Sequence, residues 1–230
     1  MSHGNEQDTS LYPNRSLPAV SVHATLMCLT LAACNMAYTL GKIDVKGAFI
    51  QMEMSGTPVY IKCTPLRDLI LDFYPEYKKS IGKDRVLYCK LLKALYGCVQ
   101  ASKLWYEKVC KFLESLGYVR GEVDPCVFRR VVGEKVYLLT LYVDDILLIA
   151  ERLEIERVEK AFEAEFRWIT MAVGNSHSYV GMKLTVERGC VVLDMRYYLQ
   201  NLLEPFEQSA SQGGTRKQGD FYSQGGSGEV

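Results

Sequence analysis

Two adjacent acidic residues interrupt an otherwise apolar run. Asp144 and Asp145 lie within residues 136–150, where β-prone residues both precede and follow the pair. An uncompensated buried carboxylate costs on the order of several kcal/mol, so two in succession need a specific reason. The flanking residues predict two buried strands of a hairpin, with the aspartates at its turn.

The aspartate pair has two interpretations. Aspartate is tolerated at a turn because its side chain can bond its own backbone, so the pair could belong to an ordinary hairpin. A surface hairpin, however, would alternate apolar and polar residues, and this one hardly does. Two buried strands would place the acids on a rigid scaffold, as a metal site requires. The residues alone leave both interpretations open.

Composition gives few constraints on function. The chain has 230 residues, enough for one substantial domain or two small ones, and its net charge is zero. The charge is uneven, with net +5 over residues 83–130 and net −4 over residues 131–170. This asymmetry suits an enzyme that holds a polyanion beside metal ions, although solvated helix faces also explain much of it. The eight cysteines form no Cys-x-x-Cys pair and indicate reduced thiols in an intracellular protein.

The apolar periodicity predicts several helices. Residues 16–41 contain no Asp, Glu, Lys or Arg, but their embedded polar residues favour a soluble core helix over a membrane span. Its predicted buried stripe is Val22, Leu26, Leu29, Ala33 and Met36. A second helix has Trp105, Val109, Phe112, Leu113 and Leu116 on one face and Gly117 as its cap. A third covers residues 151–168, with Ile155, Val158, Phe162, Phe166 and Ile169 on one face. A short helix is predicted over residues 196–206.

Strand-like segments alternate with these helices. Residues 40–50, which carry Asp44, form one such segment. The others are residues 58–62, 86–92, 126–130, 179–187 and 190–195, the last two joined by a turn at Arg188-Gly189. Residues 64–85 are expected to be a long excursion, and residues 1–15 and 208–230 to be flexible or disordered. This order predicts an α+β fold, with a mainly antiparallel sheet and helices packed on one face.

The succession of motifs resembles the reverse transcriptase of copia-type LTR retrotransposons over residues 11–206. The motifs that carry the resemblance are Asp44-Val45-Lys46-Gly47-Ala48-Phe49, Lys93-Ala94-Leu95-Tyr96-Gly97, Gln100-Ala101, Trp105-Tyr106, Tyr142-Val143-Asp144-Asp145, Tyr179-Val180-Gly181-Met182 and Tyr198-Leu199-Gln200-Asn201-Leu202-Leu203. Each motif alone is a weak signal, whereas their order and spacing together are specific. The resemblance implies a polymerase palm over residues 16–175, with partial fingers, and the start of a thumb over residues 176–207.

The resemblance also implies a chemistry and a set of site residues. Asp44, Asp144 and Asp145 would be the catalytic acids, holding two Mg²⁺ ions, or Mn²⁺ as a substitute, together with the backbone carbonyl of Val45. Such ions favour carboxylate oxygens and serve nucleotidyl transfer. The implied nucleotide-binding residues are Phe49, Tyr96, Gly97 and Gln100, and the implied primer or template contacts are Tyr142, Lys93, Lys103 and Gly181. From the residues alone, Phe49 and Tyr142 could equally be core aromatics, and the lysines could be solvated.

The implied partners are an RNA template, a DNA primer and deoxynucleoside triphosphates, with no membrane. The expected location is cytoplasmic, in a virus-like particle for the parent family, or nuclear. Cys98-Val99 and Ser102-Lys103 replace the family's usual Leu-Lys and Pro-Arg. The chain is expected to be truncated, lacking the first fingers strands, part of the thumb and ribonuclease H, and so to have weak activity. The alternative is an inactive retroelement remnant that acts as a nucleic-acid- or protein-binding module.

Overall fold

The fold is described from a computed structural model that covers residues 19–83 and 85–212, with side chains to Glu204. Along the chain the elements are α1 (Val22–Cys34), β1 (Thr39–Val45), β2 (Tyr60–Lys62), α2 (Arg67–Phe73), β3 (Tyr88–Lys90), α3 (Ala101–Ser115), β4 (Val119–Arg120), β5 (Val127–Val132), β6 (Lys135–Tyr142), β7 (Asp145–Ala150), α4 (Arg152–Glu165), β8 (Ile169–Gly174), β9 (Ser176–Tyr179), β10 (Met182–Glu187), β11 (Cys190–Asp194) and α5 (Arg196–Gln212). Short 3-10 turns occupy Phe49–Gln51, Thr64–Leu66 and Pro75–Ser80. The predicted α+β class is confirmed.

The central feature is a six-stranded antiparallel sheet in the order β4-β5-β6-β7-β1-β8. The predicted hairpin is its middle, with β6 and β7 paired from Leu138↔Ile149 to Tyr142↔Asp145. The sequence-distant strand β1 lies between β7 and β8. Strands β9, β10 and β11 form a second sheet, and β2 and β3 form a two-stranded ribbon.

Both faces of the main sheet are covered, which explains the nearly continuous apolar sequence of β7. Leu147 and Leu148 point to opposite faces, as successive strand residues do, and both are fully buried. Helix α4 packs on one face, where a Cβ at Gly41 would lie only 3.1 Å from Ile155 Cγ2. Glycine therefore permits the close approach of α4 to β1. On the other face the Tyr179 hydroxyl of β9 contacts the Thr140 hydroxyl at 3.0 Å, and α1 packs on β7, β10 and β11.

Several predicted details of the helices are wrong. Helix α1 begins after its Ser21 cap and buries Leu29 and Ala33, as predicted, together with Thr25, Cys28 and Ala32, which were not predicted. Val22 and Met36 are exposed, and Met36 lies beyond the helix. The sequence of α1 is apolar nearly all round, so its periodicity could not select the buried face. The predicted face of α3 is confirmed for Trp105, Val109 and Leu113, with Gly117 at φ +86° after its end.

The predicted extents of three segments also differ from the structure. Strand β1 stops at Val45, because Gly47 turns the chain at φ +61°, so Phe49 lies in a 3-10 turn instead of a strand. Helix α4 ends at Glu165, and Ile169 begins β8, a strand that the sequence analysis missed. The predicted strand 179–187 is broken by a hairpin turn at Val180 and Gly181, both with positive φ.

The predictions for the two ends of the chain are tested only in part. Helix α5 runs to Gln212, so residues 208–212 are helical, contrary to the predicted start of disorder at residue 208. Glutamine, serine and alanine tolerate a helix, and the first glycine of the tail comes only at Gly213. Residues 1–15 and 213–230 lie outside the described residues. None of the helices in residues 19–83 and 85–212 has the length and apolar content to cross a bilayer.

A buried ion network joins α4 to the edge of the main sheet. Glu154 is 5% exposed and accepts hydrogen bonds from Arg130, Arg157 and the Tyr118 hydroxyl at 2.8–2.9 Å. Burial by itself would raise the pKa of the Glu154 carboxyl, but these hydrogen bonds and the two guanidinium charges hold its pKa below the usual value. The network therefore stabilises the ionised carboxylate in the folded state.

We expect Glu154→Gln to lower the free energy of unfolding at pH 7 by about 2 kcal/mol, since hydrogen bonds to charged groups are lost. The folded-state pKa of Glu154 is depressed, so its contribution is full at pH 7 and is lost as the pH falls below about 4.5 towards the folded-state pKa. Urea unfolding should show a difference in the free energy of unfolding between the wild type and the variant at pH 7, and a smaller difference in acid. Glu156→Gln, which removes a pair between Arg152 and the 43% exposed Glu156, is the control and should cost under about 0.5 kcal/mol.

Candidate active site

The candidate site begins with the pairing of β1 and β7. In this antiparallel register Asp44 lies directly opposite Asp145, and the Val45 N–H donates to the Asp144 carbonyl at 3.4 Å. Directly opposed residues project from the same face of a sheet, so the side chains of Asp44 and Asp145 are neighbours. Because Asp144 immediately precedes Asp145, all three predicted acids lie at one end of the main sheet. One hundred residues of sequence separate Asp44 from Asp144.

The turn that presents Asp144 has an unusual backbone. Val143 has φ +55°, in the left-handed region, which is rare for a β-branched residue and costs on the order of 1–3 kcal/mol. The Val143 carbonyl accepts a hydrogen bond from the Trp105 indole N–H at 2.5 Å. Trp105 is 1% exposed and packs edge-on against Phe166, with ring centroids 5.3 Å apart. A buried tryptophan of α3 thus holds the strained turn in place.

Asp144 is bonded to an aromatic side chain from the segment before α3. The Tyr96 hydroxyl donates to Asp144 Oδ2 at 2.8 Å. The Tyr96 ring lies 4.3 Å, centroid to centroid, from Phe49, which is 4% exposed. Burial, the hydrogen bond to Asp144 and the charges of Asp144 and Asp44 all raise the pKa of Tyr96. The phenol is therefore a neutral donor beside two carboxylates.

Asp145 has a different kind of partner. Lys42 Nζ lies 2.9 Å from Asp145 Oδ1 and also donates to the Ser178 carbonyl at 2.9 Å. Lys42 precedes Asp44 by two residues on β1, so both side chains belong to the same face. The two adjacent aspartates of the hairpin thus pair with a phenol and with an ammonium group, respectively.

The donor set fits a weakly held divalent cation. In residues 19–83 and 85–212, no three His, Cys, Asp or Glu side chains are grouped closely enough for a preformed metal cage. Mg²⁺ does not need such a cage, because it commonly keeps several waters and binds one or two carboxylates together with substrate phosphates. Asp44 and Asp144 are hard oxygen donors near one hydroxyl, that of Tyr96. These residues could hold such an ion.

The remaining predicted site residues are distributed around this centre. Val45 is buried in β1, Gly97 has φ +92°, and Gln100 is buried at the N-terminus of α3. Tyr142 is half-buried, with its ring 6.4 Å from that of Tyr179. Their predicted roles in binding nucleotide, primer or metal stay predictions.

Three other residues predicted to contact primer or template have neighbours close to them in the fold. Lys93 pairs with Glu53 at 3.4 Å, and Lys103 pairs with Glu107 one turn along α3 at 3.8 Å. Gly181 forms the β9–β10 turn, where a Cβ would lie 3.5 Å from the Tyr198 ring. Their predicted contacts with primer or template also stay predictions.

The roles of two residues beside the acids were not predicted from the sequence. Lys42 was not considered, although its i−2 spacing from Asp44 on a strand places both on one face. Trp105 was predicted on the apolar face of α3, but the hydrogen bond from its indole N–H to the turn was not predicted. A buried tryptophan usually needs a partner for this N–H, but the sequence does not say which carbonyl accepts.

Comparison with known proteins gives a consistent result. A family profile described as "Reverse transcriptase (RNA-dependent DNA polymerase)" matches residues 4–216. A retrovirus-related Pol polyprotein from transposon TNT 1-94 of Nicotiana tabacum is 30% identical over 193 residues, covering 82% of this chain and 13% of the polyprotein. The corresponding polyprotein from transposon RE1 of Arabidopsis thaliana is 32% identical over 117 residues, covering 50% and 7%.

The chain therefore spans only a small part of these polyproteins. Among solved structures, apo telomerase from Candida Tropicalis truncated from its C-terminal domain is similar, with 13% identity and a TM-score of 0.42. That match covers 77% of this chain and 41% of the telomerase chain. The family profile and the two polyproteins confirm the predicted relation to retrotransposon reverse transcriptases.

We expect Trp105→Phe to lower the free energy of unfolding by about 2 kcal/mol. The variant keeps an aromatic ring but leaves the Val143 carbonyl without its indole donor. Trp168 is the chain's other tryptophan and is 53% exposed, so Trp168→Phe is a matched control with an expected change under about 0.5 kcal/mol. Chemical denaturation followed by far-UV circular dichroism measures both. Equal losses in the two variants would contradict the assigned role of Trp105.

Proposed function

The chain belongs to the reverse transcriptase (RNA-dependent DNA polymerase) family, and on that premise we propose that it catalyses nucleotidyl transfer to a primer 3′-hydroxyl. The observation that carries this proposal is the arrangement of Asp44 opposite Asp145, beside the turn that holds Asp144. A plain hairpin turn gives no reason for an acid from a distant strand to lie at the same place. Clustered acids at one sheet end are the arrangement that cation-assisted phosphoryl chemistry uses.

Asp44 and Asp144 are the proposed carboxylate ligands of Mg²⁺, with Mn²⁺ as a substitute. When bound, a pair of these ions supplies Lewis-acid chemistry that activates a hydroxyl nucleophile and neutralises phosphate charge. The chain's own contribution is to hold Asp44 on β1 and Asp144 on the turn between β6 and β7, so that little reorganisation accompanies binding. Trp105 supports this by fixing the carbonyl of the turn residue immediately before Asp144.

The surroundings of the acids support a nucleotide as the substrate. Tyr96, which is 51% exposed, presents an aromatic ring beside Asp144 and packs on the buried Phe49. An aromatic surface next to cation-binding acids suits a sugar and base linked to a phosphate. We propose that Phe49 limits the room for a 2′-hydroxyl and that Tyr96 contacts the incoming deoxynucleotide. An RNA or DNA template and a DNA primer are the proposed partners.

We expect Asp144→Asn to abolish metal-dependent primer extension while the fold is retained. Asparagine keeps the size and an oxygen acceptor for Tyr96, but it lacks the charge that binds Mg²⁺. At a Mg²⁺ concentration about tenfold above Kd, binding stabilises the wild type by about 1.4 kcal/mol, or about 3–5 °C in Tm. Paired melts with and without Mg²⁺ should show this shift in the wild type and almost none in the variant.

The control is Asp72→Asn, which changes an exposed acid of α2 and should leave the Mg²⁺-induced shift unchanged. The same proteins are assayed for primer extension on RNA and DNA templates. Wild-type extension that requires Mg²⁺ or Mn²⁺ supports the proposal. Equal metal-induced shifts in the wild type and Asp144→Asn, with no extension, would replace it with the inactive binding remnant.

A further inference from the structure

We propose that Lys42 is a positioning residue that keeps Asp145 from coordinating metal and leaves Asp44 and Asp144 as the cation-binding pair. This inference rests on the proposed function and deepens it. The sequence motif offers two equivalent neighbouring aspartates, and the resemblance assigned both to the metal site. The observed contacts make them unequal.

The first observation is the geometry of Lys42. Its ammonium group lies 2.9 Å from Asp145 Oδ1 and 2.9 Å from the Ser178 carbonyl oxygen. The side chains of Lys42 and Asp145 are 22% and 28% exposed, so this pair is more shielded from water than most surface ion pairs. Ser178 belongs to β9 and its carbonyl is fixed by the backbone. Two acceptors on different elements therefore hold the ammonium group in one place.

The second observation is the contrast between the partners of the two aspartates. In the part of the chain that the structure describes, the side-chain partner of Asp144 is the hydroxyl of Tyr96, which carries no charge. The partner of Asp145 is a full positive charge. A cation that approached Asp145 would have to displace Lys42 or bind beside it, and like-charge repulsion opposes both. A cation that approached Asp144 would meet a neutral phenol whose residue is 51% exposed.

The third observation is the register of β1 and β7. Asp44 and Asp145 lie directly opposite one another, and directly opposed like charges destabilise a sheet. Lys42 lies on the same face as both, so its charge offsets this repulsion. Lys42 thus stabilises the pairing of β1 with β7 in the absence of metal, and its ion pair engages the Asp145 carboxylate.

The test is the affinity for Mn²⁺ alone, measured by electron paramagnetic resonance on the purified chain. The variants are Lys42→Met, Lys42→Arg, Asp145→Asn and the double variant Lys42→Met/Asp145→Asn. We expect Lys42→Met to bind Mn²⁺ about tenfold more tightly, because the released carboxylate adds a third charged ligand. Lys42→Arg should stay within about threefold of the wild type, because the guanidinium can make the same ion pair.

The double variant separates a specific effect of Asp145 from a general effect of charge. We expect it to bind Mn²⁺ within about threefold of Asp145→Asn alone, since no carboxylate remains to be released. Asp145→Asn itself should change the affinity by less than about threefold, whereas Asp44→Asn and Asp144→Asn should each weaken binding at least tenfold. If the double variant still binds Mn²⁺ about tenfold more tightly than Asp145→Asn, Lys42 acts only through its charge and the inference is overturned. A tenfold loss in Asp145→Asn would overturn it as well.

Failure of the proposed function has a different signature, namely Mn²⁺ binding that neither Asp44→Asn nor Asp144→Asn changes. The pairing of Lys42 with Asp145 is then decided by denaturation of the same variants in the presence of EDTA. We expect the two substitutions to be coupled by about threefold to tenfold in the unfolding equilibrium constant. Additive effects would show that Lys42 does not hold Asp145, and would overturn the inference without reference to metal.

Discussion

The antiparallel register of β1 against β7 is the constraint on which the candidate site depends. It places Asp44 opposite Asp145 and the Val45 N–H against the Asp144 carbonyl. Side chains alternate between the faces of a strand, so a slip of one residue would move Asp44 to the α4 side of the sheet. Burial prevents such a slip, because Ile43 and Val45 are fully buried on that side. The core that stabilises the fold therefore also fixes the position of the acids.

The turn between β6 and β7 depends on packing beyond the sheet. Val143 adopts a left-handed conformation that few β-branched residues adopt, and such strain persists only where the surroundings determine it. The surroundings here are Trp105 of α3, whose indole N–H holds the Val143 carbonyl, and Phe166, which packs on the Trp105 ring. The position of α3 in the core is thus connected to the direction in which Asp144 projects. This connection explains why a helix with no predicted acid bears on the site.

The second sheet has a comparable connection to Asp145. The Ser178 carbonyl of β9 shares the Lys42 ammonium with Asp145, and the Tyr179 hydroxyl contacts Thr140 of β6. The two neighbouring aspartates are therefore connected to different parts of the fold. Asp144 is bonded to Tyr96 in the segment before α3, and Asp145 shares the Lys42 ammonium group with β9. Among the described residues Asp145 is paired with an ammonium group and Asp144 is bonded to a neutral phenol, and we propose that this asymmetry gives the two carboxylates different affinities for a cation.

The sequence by itself determined the elements whose signals are local. The apolar run around Asp144 and Asp145 predicted the hairpin, the spacing of Trp105, Val109 and Leu113 predicted α3, and the ordered motifs predicted the family. It failed where the signal is not local. Helix α1 is apolar nearly all round, so its buried face was predicted only in part. Strand β8, which was missed, pairs with a strand more than a hundred residues away. The tertiary structure alone decided three contacts: the ion pair of Lys42 with Asp145, the hydrogen bond from Tyr96 to Asp144, and the hydrogen bond from Trp105 to the Val143 carbonyl. These pairings join residues 38 to 103 positions apart, and their partners are selected by strand register and helix packing, which no local spacing in the sequence encodes.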